Sequence, residues 1–401
     1  MAGCVGRRRA ARSIAAGLVL VAGLPAAVDG VADDGSVWGA VTSRVSVSPT
    51  GGDANTYSTQ LSISAGGRYV AFLSYASNLV AGDTNGAGDV FVRDRLAGVT
   101  RRVSVGPGGR QANRSSYFPS ISAGGRYVAF SSVASNLVAG DTNDRRDVFV
   151  RDRVAKVTRR VSVGPGGRQA NRSSYFPAIS ADGRYVAFVS HASNLVAGDT
   201  NSTNDVFVRD RVAKVTRRVS VGPGGRQANR YSGFPYLFYS AFPSISADGR
   251  YVAFESYASN LVVGDTNHRS DVFVRDRVAK VTRRVSVGPG GRQANRDAYS
   301  PSISADGRHV AFASYASSLV AGDTNGTADV FVRDRLAKVT RRVSVGPGGR
   351  QANDYSYSPS ISADGRHVAF VSYASNLVAG DTNGAADVFA RDRFRDAAML
   401  P

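Results

Sequence analysis

Pro119-Ser-Ile-Ser-Ala-Gly-Gly-Arg-Tyr-Val-Ala-Phe-Ser-Ser132, followed by Asp141-Thr-Asn143, Asp147-Val-Phe-Val-Arg-Asp152 and Val157-Thr-Arg-Arg-Val-Ser-Val163, decides the fold. Each segment reads as β structure. Residues 119–122 form a short strand, and Ala123-Gly-Gly125 a tight turn that becomes Ala-Asp-Gly in later copies. Residues 126–132 carry an unbroken apolar run, the pattern of a strand covered on both faces. Residues 147–152 make a third strand. Residues 157–163, loaded with arginine, suit an outer strand that faces water. After the first 27 residues no stretch has the period and caps of a helix.

Outward from this stretch, the unit repeats. The Asp that opens each Asp-Thr-Asn falls at Asp83, Asp141, Asp199, Asp265, Asp323 and Asp381, at intervals of 58, 58, 66, 58 and 58 residues. A period this regular marks a repeat architecture. Four antiparallel strands per unit make a blade, and six blades make a ring. The last copy stops after its third strand, and the missing segment sits at the other end of the chain as Thr42-Ser-Arg-Val-Ser-Val47. The expected fold is all-β: a six-bladed β-propeller of four-stranded antiparallel blades, with an N-terminal strand closing the last blade.

The repeat Ser-x-Ser-Ala-Asp-Gly-Arg-Tyr/His-Val-Ala-Phe, followed by Asp-Val-Phe-Val-Arg-Asp-Arg, resembles the WD40-like propeller repeat of the TolB family over about residues 41–393. Ala181, Ala247, Ala305 and Ala363 stand where that repeat has Pro in its turn. The resemblance implies the propeller fold. Propellers of this kind serve as scaffolds, receptors and, less often, enzymes.

The 401 residues carry a formal charge of +19, with 50 basic residues against 31 acids. Only four of the basic residues are lysines, and Glu255 is the one Glu. The first 27 residues read as an export signal: Arg7, Arg8, Arg9 and Arg12, an apolar run over residues 14–24 and small residues before the cut. Cleavage there leaves +15 and removes Cys4, so the mature chain has no thiol for a disulfide or metal. The expected organisation is a signal peptide at 1–27, a linker at 28–41, the propeller at 42–393 and a tail at 394–401. The mature protein is then expected outside the cytoplasmic membrane, secreted and without a membrane span.

Alternating strands put the two long loops of each unit on one face, where binding residues concentrate. One loop holds Asp-Thr-Asn. In copies one, five and six it offers Asp83, Asn85 and Asp89, Asp323, Asn325 and Asp329, and Asp381, Asn383 and Asp387 as oxygen ligands for Ca²⁺. The bland alternative is that these residues cap turns. The other loop, Gly-Gly-Arg-Gln-Ala-Asn, sets Arg110, Arg168, Arg226, Arg292 and Arg350 around the same face, a crown suited to anionic groups unless each Arg pairs with a loop Asp. The eight extra residues lie in Tyr231-Ser-Gly-Phe-Pro-Tyr-Leu-Phe-Tyr-Ser-Ala-Phe242, which supplies Tyr236, Phe238 and Tyr239 as stacking candidates or as a plug for the channel.

Catalysis needs an asymmetric constellation, and no Gly-x-Ser-x-Gly elbow, Walker loop or His-Glu-x-x-His occurs. His309 and His367 replace Tyr in a strand, which points to packing. The expectation is therefore a non-catalytic binding or scaffold protein for an anionic polysaccharide, a cell-wall polymer or a protein partner. The alternative is a propeller enzyme, a metal-assisted lyase or hydrolase acting on polysaccharide. Nucleic acid fits the charge but not export.

Overall fold

The computed structural model describes residues 43–232 and 242–394 and the backbone of Val19–Leu20. Within them the chain forms a six-bladed β-propeller of antiparallel sheets. The segments expected to be a signal peptide and linker, apart from those two residues, and the last seven residues of the tail lie outside the described residues. Val19–Leu20 runs parallel to Leu61 and Ser62 in the first inner strand.

Blade two shows the plan. Its strands are Ser116–Ile121, Tyr127–Ser132, Asp147–Asp152 and Val157–Arg160, paired in chain order from the channel outward. The inner strand starts earlier than the sequence suggests, because a β-bulge after Tyr117 lets residues before the proline pair as well. The outer strand is shorter. After Arg160 the backbone turns inward, and the Val161 amide donates to the Val148 carbonyl at 2.7 Å. This carries Ser162 into the interior.

The core lies between blades. Val128, Phe130, Leu137 and Phe149 of blade two pack on Ala71, Val90 and Val92 of blade one. Phe130 and Phe149 are fully buried, as the apolar runs require. Neighbouring blades are also tied by hydrogen bonds: the Ala65 amide to the Ala123 carbonyl, the Ile121 amide to Ser62 Oγ, and Thr158 Oγ1 to the Val105 carbonyl. Gly125, at φ +72°, lies against the Tyr69 ring of the previous blade, where a Cβ would collide with the ring. The Arg153 guanidinium covers the same ring at 4.5 Å. Buried His309 takes the Tyr69 place toward Gly365, as a packing role predicts.

One expectation fails. Among the described residues the last blade has three strands, and Asp387–Asp392 has no outer partner. The Ala-to-Ala amide ladder runs from blade one to blade six and does not continue from Ala363 to Ala65. Val388 is 63 % exposed, whereas its counterpart Val148 is buried. Thr42 lies outside the described residues, and Ser43 and Arg44 do not pair with Ala390 and Phe389. The other five outer strands are delivered by a short turn, pinned in blade two by Asp152 Oδ1 accepting from the Val154 and Ala155 amides. This one has to return across the whole ring, and its local ties hold it to blade one. Val47 bridges Asp53, Arg44 pairs with Asp53, and Val45 packs on the Phe72–Phe91 cluster.

Candidate functional site: the long-loop face

The repeated loop signature is almost wholly consumed by the fold. In blade two, fully buried Asp147 accepts from Ser162 Oγ at 2.5 Å and from Asn143 Nδ2 at 3.0 Å. Asn143 also donates to the Ala170 carbonyl at 2.8 Å. Arg160 reaches between two carboxylates, with Nη2 3.2 Å from Asp141 and Nε 3.6 Å from Asp147. Gln169 accepts from Arg160 and donates to Thr142. Burial pushes the Asp147 carboxyl up to about 6, against the opposing pull of the Ser162 hydroxyl and Arg160. The same clasp recurs around Arg102, Arg218, Arg284 and Arg342.

This placement revises the metal-ligand candidates. In loops one and five a guanidinium, from Arg102 or Arg342, stands beside Asp83 and Asp89 or Asp323 and Asp329. Asn85 and Asn325 spend their amides on Asp89 and Asp329. A protein cation thus already stands beside the carboxylates of these two loops. Only Asp381, Asn383 and Asp387 lack such an arginine among the described residues, because the last blade has no outer strand. The sequence equivalent of Arg102 there is Arg44, held at Asp53. In register Asp53 takes the place of Gln111, so Gly52 stands at the crown position of the first link.

The crown arginines come out differently. Arg110, Arg168, Arg226, Arg292 and Arg350 are all exposed, and none forms an ion pair among the described residues. The loop aspartates that could have neutralised them are occupied by the clasp arginines. Their neighbours Gln169 and Asn171 are occupied too, Asn171 by Ser193 and Asn194 of the next blade.

The two ends of the aromatic insertion are anchored on the inner strand of blade four. Ser232 bridges Ser256 and Ser244 pairs with Ala253, so the insertion widens the bulge of the innermost strand of blade four. At its end, the Phe242 ring packs at 4.4 Å from that of Phe176 and 5.4 Å from that of Phe118, a cluster drawn from three blades. Tyr236, Phe238 and Tyr239 lie outside the described residues.

Two features of the channel mouth escape sequence reading. Tyrosines line it in pairs: Tyr57 with Tyr75 at 5.0 Å, Tyr231 with Tyr257 at 4.9 Å, Tyr299 with Tyr315 at 5.8 Å and Tyr357 with Tyr373 at 6.2 Å. Their signal was a recurring Tyr beside the first Ser of the inner strand and another just after the second strand. The other feature is Glu255, where other copies hold Leu73, Ser131, Val189, Ala313 or Val371. Ser270 bridges it to Asp297, its hydroxyl donating to Glu255 Oε1 at 3.1 Å and its amide to Asp297 Oδ1 at 2.9 Å. Burial pushes the Glu255 carboxyl up to about 8, with Asp297 nearby adding to the rise. Burial, with both carboxylates beside it, pushes the Tyr257 phenol up to about 12.

No family model matches the sequence, and no curated protein does. Solved structures similar to the chain include TolB from Acinetobacter baumannii, at 12% identity over 77% of this chain, TM-score 0.41. The chain spans 62% of that protein. A TolB from Agrobacterium tumefaciens is 16% identical over 73% of this chain and 80% of its own, TM-score 0.42. An oligogalacturonate lyase in complex with manganese is 12% identical over 80% of this chain and 73% of its own, TM-score 0.44. These likenesses lie within propellers, and the blade count rests on this chain's own strands. Among the described residues no helix is long and apolar enough to cross a membrane.

Proposed function

We propose that this protein is an exported, non-catalytic binding propeller whose long-loop face holds an anionic extracellular polymer, an acidic glycan or a cell-wall polyanion. One observation supports it most. In a loop signature where the Asp, Thr, Asn, Ser and Gln side chains are spent on the fold, the crown arginines stay exposed and, among the described residues, without a carboxylate. Five weak sites on one rigid face add through avidity. The positive charge raises encounter rates with a polyanion.

Changing Arg168, Arg226 and Arg292 to Gln should weaken binding to a sulfated or phosphate-bearing polymer by about tenfold or more, as the loss of several charge-assisted contacts implies. Affinity electrophoresis through gels containing each polymer, with neutral dextran as control, reads this directly. Equal retardation of wild type and variant would remove the crown from the account. A protein partner would show instead as no retardation in any polymer.

The Ca²⁺ expectation is kept for the last blade alone, at Asp381, Asn383 and Asp387. Calorimetry in millimolar Ca²⁺ should then give heat that Asp381→Ala abolishes. No heat from wild type would leave these residues as turn formers. The enzymatic alternative has one observation in its favour, the Glu255–Ser270–Asp297 constellation, which no other blade contains. Chain length of the polymer after prolonged incubation decides it: shortening would establish catalysis.

A further inference from the structure

The sides of the ring carry a second set of cations. A groove of about 1270 Å³ runs down the rim between blades four and five, from Gly264 and Arg292 at the long-loop face to Lys338 at the opposite face. Arg283 of the outer strand lines one wall, and Arg333, Arg335 and Lys338 line the other. None of these four has an ion-pair partner among the described residues. Arg333 spends one nitrogen on Thr340 Oγ1 at 3.0 Å, and Arg335 lies over Tyr251 at 4.5 Å, so both are held in place. Asp276 and Asp306 also line this groove, Asp276 paired with Arg250 at 2.8 Å, so the cations outnumber the carboxylates without being free of them. The groove between blades one and two repeats the set with Arg101, Arg151, Arg153 and Lys156, and no carboxylate lines it. Burial holds Arg153 below its usual range, with Tyr69 and Asp94 pulling the other way and the Arg101 and Arg68 guanidiniums adding to the fall.

The lysines supply the independent signal. All four in the chain, Lys156, Lys214, Lys280 and Lys338, occupy the same turn position, each left-handed at φ +56°. A side chain with a Cβ is disfavoured there, and the first copy uses the residue the backbone prefers, Gly98 at φ +66°. Lysine thus appears in blades two to five, the blades that face a neighbour with a complete outer strand. Glycine appears in blade one, which faces the three-stranded blade. Turn geometry alone would favour glycine at all five.

We propose that the grooves between blades one and two through four and five are binding sites for tetrahedral oxyanions, phosphate or sulfate groups. Each is built from the exposed Arg of one outer strand and two Arg and a Lys of the next blade. The four cations of each site are not crown residues, although crown Arg292 stands at one end of the groove between blades four and five, so the two readings fail separately.

The test is the quadruple variant Lys156→Gly, Lys214→Gly, Lys280→Gly, Lys338→Gly, which follows the first copy and should fold at least as well. Inorganic phosphate and sulfate are titrated against thermal stability, with chloride at matched ionic strength. Wild type should be stabilised beyond chloride, and the variant should need about fivefold more phosphate for the same shift. A crown variant that leaves Arg292 in place, Arg168→Gln with Arg226→Gln, should keep the wild-type response. Polyglycerol phosphate and sulfated dextran, titrated in parallel, distinguish the source of the oxyanion. Identical shifts in wild type and the lysine variant would overturn the proposal. So would a wild-type shift no larger than that of chloride.

Discussion

Arg160→Met should destabilise the protein by about 3–5 kcal/mol, the cost of breaking a buried ion pair from one side. The guanidinium is 9 % exposed and serves Asp141, Asp147 and Gln169 at once. Methionine fills much of its volume but leaves two carboxylates in a site that already disfavours ionisation, since Asp147 sits at about 6 with Arg160 present. The loss should therefore grow with pH. Both carboxyls can be protonated near pH 5 at modest cost, whereas at pH 8 the folded chain has either to hold buried charge or to retain protons that the unfolded chain releases. Urea melts at the two pH values read the effect. Adding Asp141→Asn and Asp147→Asn should restore much of the stability at pH 8, because neutral amides need no counter-charge. A change below about 1 kcal/mol at both pH values would mean that the clasp contributes no more than an exposed pair.

Glu255→Gln should do the opposite. The folded carboxyl titrates at about 8, against an ordinary value of 4.5. A raised acid favours the folded state below 4.5, and the advantage is lost as pH rises from 4.5 to 8. Across that window wild type should lose on the order of 4 kcal/mol from this group. Gln keeps an acceptor for the Ser270 hydroxyl and carries no charge to bury. Thermal melts should show the variant close to wild type at pH 5 and clearly more stable at pH 8. Parallel curves for the two proteins from pH 5 to 8 would place Glu255 in contact with solvent, contrary to its burial. Because burial also raises Asp83, Asp141, Asp199, Asp265 and Asp323, some slope should remain in the variant.

The blade plan was legible because it depends on short-range patterns repeated six times. The apolar run of residues 127–130 demands cover on both faces, and neighbouring blades provide it. The clasp was not legible. Nothing in Val-Thr-Arg-Arg distinguishes the Arg that folds inward, Arg160, from the one that faces solvent, Arg159, until the strand register alternates their sides. The crown was read from the same kind of residue and happened to fall on the exposed side. The closing strand was misread because likeness of sequence was taken for likeness of pairing. Thr42-Ser-Arg-Val-Ser-Val47 has the residues of an outer strand but not the turn that delivers one. The insertion was read either as a stacking surface or as a plug because spacing locates a segment only between its neighbours, while the pairing of Ser232 and Ser244 in the inner strand is a backbone feature.

The central claim is that the exposed arginines of the long-loop face hold a polyanion by charge. Binding of one sulfated polysaccharide of defined length, measured from 50 to 400 mM salt, tests it most directly. The logarithm of the association constant should fall linearly with the logarithm of salt concentration. Changing Arg168, Arg226 and Arg292 to Gln should lower both the affinity and the slope. An affinity that holds constant across the salt range, or a slope that the three substitutions leave unchanged, would contradict it.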